Sequence, residues 1–97
     1  MGETDDFEWD DGKTASNLQK HNYPLPLAAL LFDGRKRLDR LSKQQPDHEP
    51  RYETIAAYEG SVLLCVWTMR GRKRRVVSLR VASRTERRAY QEAIGRS

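Results

Sequence analysis

The chain holds a single cysteine, Cys65, among 97 residues. No internal disulfide is available, and neither is a clustered thiolate site for zinc. Long apolar runs are also missing. The longest, Ser61 to Met69 (SVLLCVWTM), reaches about half of the ~18–20 residues that cross a bilayer. The amino-terminal stretch MGETDDFEWDD is acidic where a secretory signal is basic and then apolar. Six glycines and four prolines are scattered, so no Gly-rich phosphate loop forms, and there is no internal repeat. The two histidines, His21 and His48, stand far apart, which makes a poor metal signal. These absences argue against a large multidomain enzyme, a membrane-spanning protein, a disulfide scaffold and a metal or cofactor site. The expectation is a cytoplasmic protein with no cofactor.

What is present is charge, unevenly placed. Eighteen lysines and arginines face 14 acids, a net of +4, and apolar residues make up 37% of the chain. Residues 1–12 carry −6, residues 13–69 carry +2 and residues 70–97 carry +8. A basic carboxyl-terminal third is the electrostatic footprint of a phosphate-backbone binder. The same arginines also suit a solvated helix surface.

One domain is expected over residues 1–97, with its core at about 7–94 and a flexible acidic end at 1–6. Phe7-Glu8-Trp9 alternates like a short strand, and Asp10 is placed to cap a helix over about 11–21. Pro24 and Pro26 end that helix and begin a second, in which Leu27, Leu30 and Leu31 form a core-facing stripe. An edge strand fits around 38–41. Strands then read at about 51–58, 61–69 and 74–81, joined by turns at Glu59-Gly60 and Arg70 to Lys73 into an antiparallel meander. The middle strand is apolar at both parities and belongs in the sheet centre. In the last strand, strict alternation puts Val77, Leu79 and Val81 on one face and Arg74, Val76, Ser78 and Arg80 on the other. Ser83-Arg84-Thr85-Glu86 is a capping box, opening a helix whose stripe is Ala89, Tyr90, Ala93 and Ile94. The class is α+β: a short strand, two helices, an antiparallel meander and a final helix.

Cys65 sits in the most apolar strand, the place of a buried hydrophobe rather than a nucleophile. Surplus cations with few titratable partners suit chemistry on a phosphodiester. RNA is cleaved without metal when its 2′-OH is deprotonated, cations stabilise the phosphorane, and the 5′-oxygen is protonated as it leaves. Lys13, Lys20 and His21 lie about two turns apart along one side of the first helix. Arg70 closes the central strand, while Arg75 and Arg80 flank the next, a spacing suited to clamping successive phosphates. Tyr52 and Trp67 either stack a base or pack the core.

Together, FEWDxxKxxxNxxKH over residues 7–21, Pro46-Asp47-His48, Arg51 with Thr54-Ile55, Thr68 with Arg70-Gly71, the run Arg75 to Ala82, and Glu86 with Tyr90 resemble in order the elements of BrnT-type toxins from bacterial toxin–antitoxin modules. Asn22, Ala56 and Leu79 depart from that pattern, and residues 34–45 match little of it. The resemblance implies a RelE-like α+β fold, a ribonuclease activity that arrests translation by acting on mRNA, and a BrnA-type antitoxin with a ribbon-helix-helix domain. Operator DNA is then bound through the toxin–antitoxin complex. Lys13, Arg51, Arg75 and Arg80 fall on motif positions suited to phosphate; His21 is the best candidate proton carrier because an imidazole ordinarily titrates nearest neutrality, with Asn17 either as its orienter or as a local cap.

The expected catalytic residues are therefore Lys13, His21, Arg75 and Arg80, and the expected RNA-binding residues Lys20, Arg51, Arg70 and Arg74. Two other readings fit the same charges: a nucleic-acid-binding module without catalysis, and a degenerate toxin that serves only to bind the antitoxin.

Overall fold

In the computed structural model the chain is described over residues 2–46 and 49–95. Asp47 and His48 of the quoted motif lie outside the described residues. Strands β1 (Gly2–Glu3) and β2 (Phe7–Trp9) lead into helix α1 (Asp11–His21), a 3₁₀ helix (Leu25–Phe32) and β3 (Arg37–Leu41). Strands β4 (Tyr52–Tyr58), β5 (Ser61–Arg70) and β6 (Lys73–Val81) follow, and α2 (Arg84–Gly95) closes the chain. The six strands form one sheet in the order β1-β2-β6-β5-β4-β3. Among the described residues no helix is long and apolar enough to cross a membrane.

The class is α+β, as expected, and the meander β4-β5-β6 is antiparallel with β3 on its edge. Its first turn has positive φ at both Glu59 (44°) and Gly60 (81°), the primed geometry that matches strand twist. The second turn is tighter than expected, because the strands run on to Arg70 and Lys73.

Four features depart from the sequence reading. The sheet is mixed, since β2 pairs in parallel with β6 at Phe7–Arg74 and Glu8–Arg75. The acid-rich beginning, expected as a flexible end, contributes β1, which pairs antiparallel with β2. The second helix is 3₁₀ rather than α, so its buried residues are Leu25, Ala28 and Leu31, three apart as that geometry requires. The expected stripe of Leu27, Leu30 and Leu31 assumed a 3.6-residue turn, and Leu30 is exposed.

The fourth is a β-bulge. Val66 pairs with Ser78 and Trp67 with Val76, leaving Val77 as the extra residue of β6. Alternation slips by one there. Arg74, Val76 and Leu79 share the back face, while Arg75, Ser78 and Arg80 share the front. This corrects the face assignment made from strict alternation.

The back face buries Phe7, Ala56, Leu63, Cys65, Trp67, Val76 and Leu79 under the 3₁₀ helix. On the front, α2 covers one end through Tyr90 and Ile94, which pack on Ile55, Leu64, Val62 and Leu38. The remainder of the front face stays open. Helix α1 lies against β6, and its ends are set locally. The Asp10 carboxylate accepts the Lys13 N–H (2.9 Å), and Asn22 adopts the left-handed conformation (φ 67°) as C-cap, one that asparagine tolerates better than most residues.

Candidate functional site

The open front face holds a groove of about 650 Å3, in the size range of small-molecule sites. Its floor is a row of directly paired residues, Arg40–Glu53–Val66–Ser78, running across β3, β4, β5 and β6. Arg80, the segment Ser42, Lys43 and Gln44, and the start of α2 (Ser83, Thr85, Glu86) complete the lining. Glu53 is only 6% exposed and accepts a hydrogen bond from Arg40 Nε at 2.5 Å. Arg80 is held by both oxygens of Glu86, at 2.7 and 2.9 Å, in the two-pronged geometry that guanidinium groups use for carboxylates and phosphates. Chiefly through that bond, Glu86 is pulled below the usual carboxylate range, to about 2, and Arg80 is pushed further toward its charged form. Glu86 also closes the expected capping box, accepting the Ser83 N–H (2.8 Å) while Ser83 Oγ accepts the Glu86 N–H (3.2 Å). The helix start and the guanidinium are thus fixed by one carboxylate.

A smaller concavity of about 180 Å3 lies between α1 and β6, lined by Lys13, Ser16, Asn17, Lys20, His21, Val77 and Ser78. Ser78 lines both spaces, so the cationic side of α1 and the groove open onto the same stretch of β6. Asn17 holds α1 in this position. Its amide donates to Leu79 O and Tyr23 O (both 2.7 Å), and its carbonyl accepts the Leu79 N–H (3.2 Å). It does for β6, past the bulge, what a neighbouring strand would do. The residue expected to orient His21 or to cap locally therefore docks the helix instead. Arg75 points to the same face as Ser78 and Arg80, and its guanidinium meets Glu8 at 3.5 Å with both side chains largely covered.

A model of the family described as ribonuclease toxin, BrnT, of type II toxin-antitoxin systems matches residues 9–86. The chain belongs to this BrnT family. No curated protein matches the chain. The matched span contains every residue that lines the groove and the α1 concavity. A BrnT protein is a ribonuclease toxin that works opposite an antitoxin, so RNA is the substrate class of the chain.

Within this BrnT chain, Lys13, Lys20 and His21 come together, and Arg80 opens onto the adjoining groove. Three other expected RNA-binding residues lie elsewhere. The Arg74 guanidinium sits on the back face over Phe32 (4.3 Å), Trp67 (4.8 Å) and Phe7 (6.0 Å), where it serves the core through cation–π contact. Arg70 ends β5 at the hairpin and pairs with Glu49 at 3.4 Å. Arg51 is half-buried, its backbone bonded to Gln45. Trp67 is core, with Tyr52 stacked on it at 4.9 Å and its Nε1 donating to Thr54. Residues that sequence reasoning missed are Arg40, Lys43, Glu53 and Ser78. A signal existed for Arg40, which alternates with Asp39 and Leu41 in the edge strand. None existed for its meeting with Glu53, which depends on cross-strand register. Among the described residues, no three His, Cys, Asp or Glu side chains converge as a metal site.

Proposed function

We propose that the chain is an endoribonuclease whose substrate supplies the nucleophile. The 2′-oxygen attacks the adjacent phosphorus, the P–O5′ bond breaks, and the products are a 2′,3′-cyclic phosphate and a 5′-hydroxyl. Lys13, Arg75 and Arg80 stabilise the charge that builds on the phosphorane, Lys20 holds the strand, and His21 gives a proton to the departing 5′-oxygen. No metal takes part in these steps. The observation that supports this reading is Ser78, which lines both the α1 concavity, together with His21, and the groove, together with Arg80.

The target is mRNA in the cytoplasm, and translation stops as it is cut. A BrnA-type antitoxin with a ribbon-helix-helix domain neutralises the chain by covering this face, and operator DNA is bound through that complex. The test is cleavage of RNA by purified protein in excess chelator, with product ends identified and with His21→Ala and Arg80→Ala compared under a folding control. Cyclic-phosphate ends, and their loss in both variants, are expected. Salt-sensitive RNA binding that leaves the strand intact after long incubation would mark a binding module instead.

A further inference from the structure

Scission through the 2′-hydroxyl needs two proton transfers at separate oxygens, and the proposed function supplies one carrier, His21. The sheet supplies another candidate from outside the residues singled out in the sequence. Glu53 is a carboxylate only 6% exposed in the middle of a groove that also carries Arg40, Lys43, Arg80 and Glu86. Carboxylates are rarely buried so deeply without a reason. Arg40 Nε fixes one of its oxygens at 2.5 Å, and that is the one hydrogen-bond donor the described residues give it. No described residue donates to its second oxygen, in a groove whose other walls carry Lys43 and Arg80.

Register sets the spacing between this group and the α1 concavity. Glu53, Val66 and Ser78 are consecutive partners across three strands, so about 10 Å separates the backbones of Glu53 and Ser78, at ~4.8 Å per strand. Ser78 in turn lines the concavity that holds His21. A phosphodiester lying along this row would meet Glu53 on one side and the α1 concavity on the other, the opposed placement that in-line displacement requires. Val66 lies between them, an apolar floor that takes no proton.

We infer that Glu53 is the general base of the cleavage. Its free oxygen takes the proton of the 2′-hydroxyl as the 2′-oxygen bonds to phosphorus, and His21 delivers a proton to O5′ as the P–O5′ bond breaks. The enzyme is left with neutral Glu53 and neutral imidazole, and exchange with water restores both. Arg40 is a positioning residue, holding the carboxylate by one oxygen so that the other faces the sugar. This assignment rests on the ribonuclease reading above.

The experiment compares wild type, Glu53→Gln, Glu53→Asp and His21→Ala on two RNA substrates, one ordinary and one with sulfur replacing the bridging 5′-oxygen at the scissile position. A 5′-thiolate leaves without protonation, so it dispenses with the acid and not with the base. Glu53→Gln should cleave both substrates ~100-fold or more slowly, while binding a non-cleavable 2′-deoxy analogue as wild type does. His21→Ala should be slow on the ordinary substrate alone. Glu53→Asp keeps a carboxylate, so it should recover part of the rate, and it serves as the informative variant if Glu53→Gln melts early. Recovery of Glu53→Gln by the sulfur substrate, an unchanged rate, or a defect confined to analogue binding would each overturn the assignment. Failure of wild type to cut either substrate would instead overturn the ribonuclease reading.

Discussion

Arg74 and Arg75 are neighbours in sequence with opposite surroundings. The first lies over three aromatic rings on the back face, where its charge is absorbed by packing. The second stands on the front with Glu8, on the same side as Ser78 and Arg80. The two faces use arginine differently. On the back, the guanidinium is a flat plate filling space beside Phe32 and Trp67. On the front, guanidinium groups are held by carboxylates, Arg80 by Glu86 and Arg40 by Glu53, with their charge open to a groove. A segment carrying +8 is therefore not a uniform basic patch, and counting arginines overstates how many can meet a phosphate.

Substitutions on the two faces should separate in kind as well as size. The largest effect is expected at the front: His21→Ala and Arg80→Ala should each slow RNA cleavage ~100-fold or more, equivalent to about 2.7 kcal/mol or more of transition-state stabilisation. Single-turnover kinetics read this directly; for His21→Ala a melting temperature near that of wild type would show that chemistry rather than folding is lost, and Arg80→Ala is compared with Glu86→Gln, which loses the same ion pair. Next is Asn17→Ala, which strips Leu79 of partners for both backbone groups and should cost about 2 kcal/mol in urea denaturation. Arg74→Met keeps bulk beside the rings and removes the charge. A loss of about 1 kcal/mol is expected, with unchanged cleavage per folded molecule. If Arg74→Met instead lost activity as Arg80→Ala does, the contrast between the faces would fail.

The smallest effect concerns pH. Glu86 falls from 4.5 to about 2 on folding, chiefly through its bond with Arg80. A lowered carboxylate contributes stability above its unfolded value and loses it as pH falls through its folded one. The gap in melting temperature between wild type and Glu86→Gln should therefore be open at pH 7 and close between pH 4.5 and about 2. A gap that persisted at pH 2 would assign Glu86 to the cap alone.

Much of the fold was legible because its signals are local. Asp10 and the Ser83–Glu86 box mark both helix starts through bonds within one turn of chain. The doubled apolar parity of β5 marks the sheet centre. The parallel pairing of β2 with β6 was not legible, since it joins segments far apart in sequence with no turn between them. The bulge was hidden for another reason. Val76 and Val77 are the same residue, so composition cannot tell which one is extra. Within the site, the shared side of α1 followed from helical spacing and Arg80 from its motif. Arg40 and Glu53 were invisible because strands distant in sequence bring them together.

Val77 has a consequence for how this protein can vary. Removing it would leave Arg74, Arg75, Val76, Ser78, Leu79 and Arg80 in unbroken alternation, with every side chain still on its present face. The core has no need of the extra residue. It is the neighbour outside the sheet that uses it: Val77 lines the α1 concavity, and past it β6 is met by Asn17 in place of β2. A chain one residue shorter at this point would keep its inside and outside in order while losing the step that hands the edge of β6 from a strand to a helix.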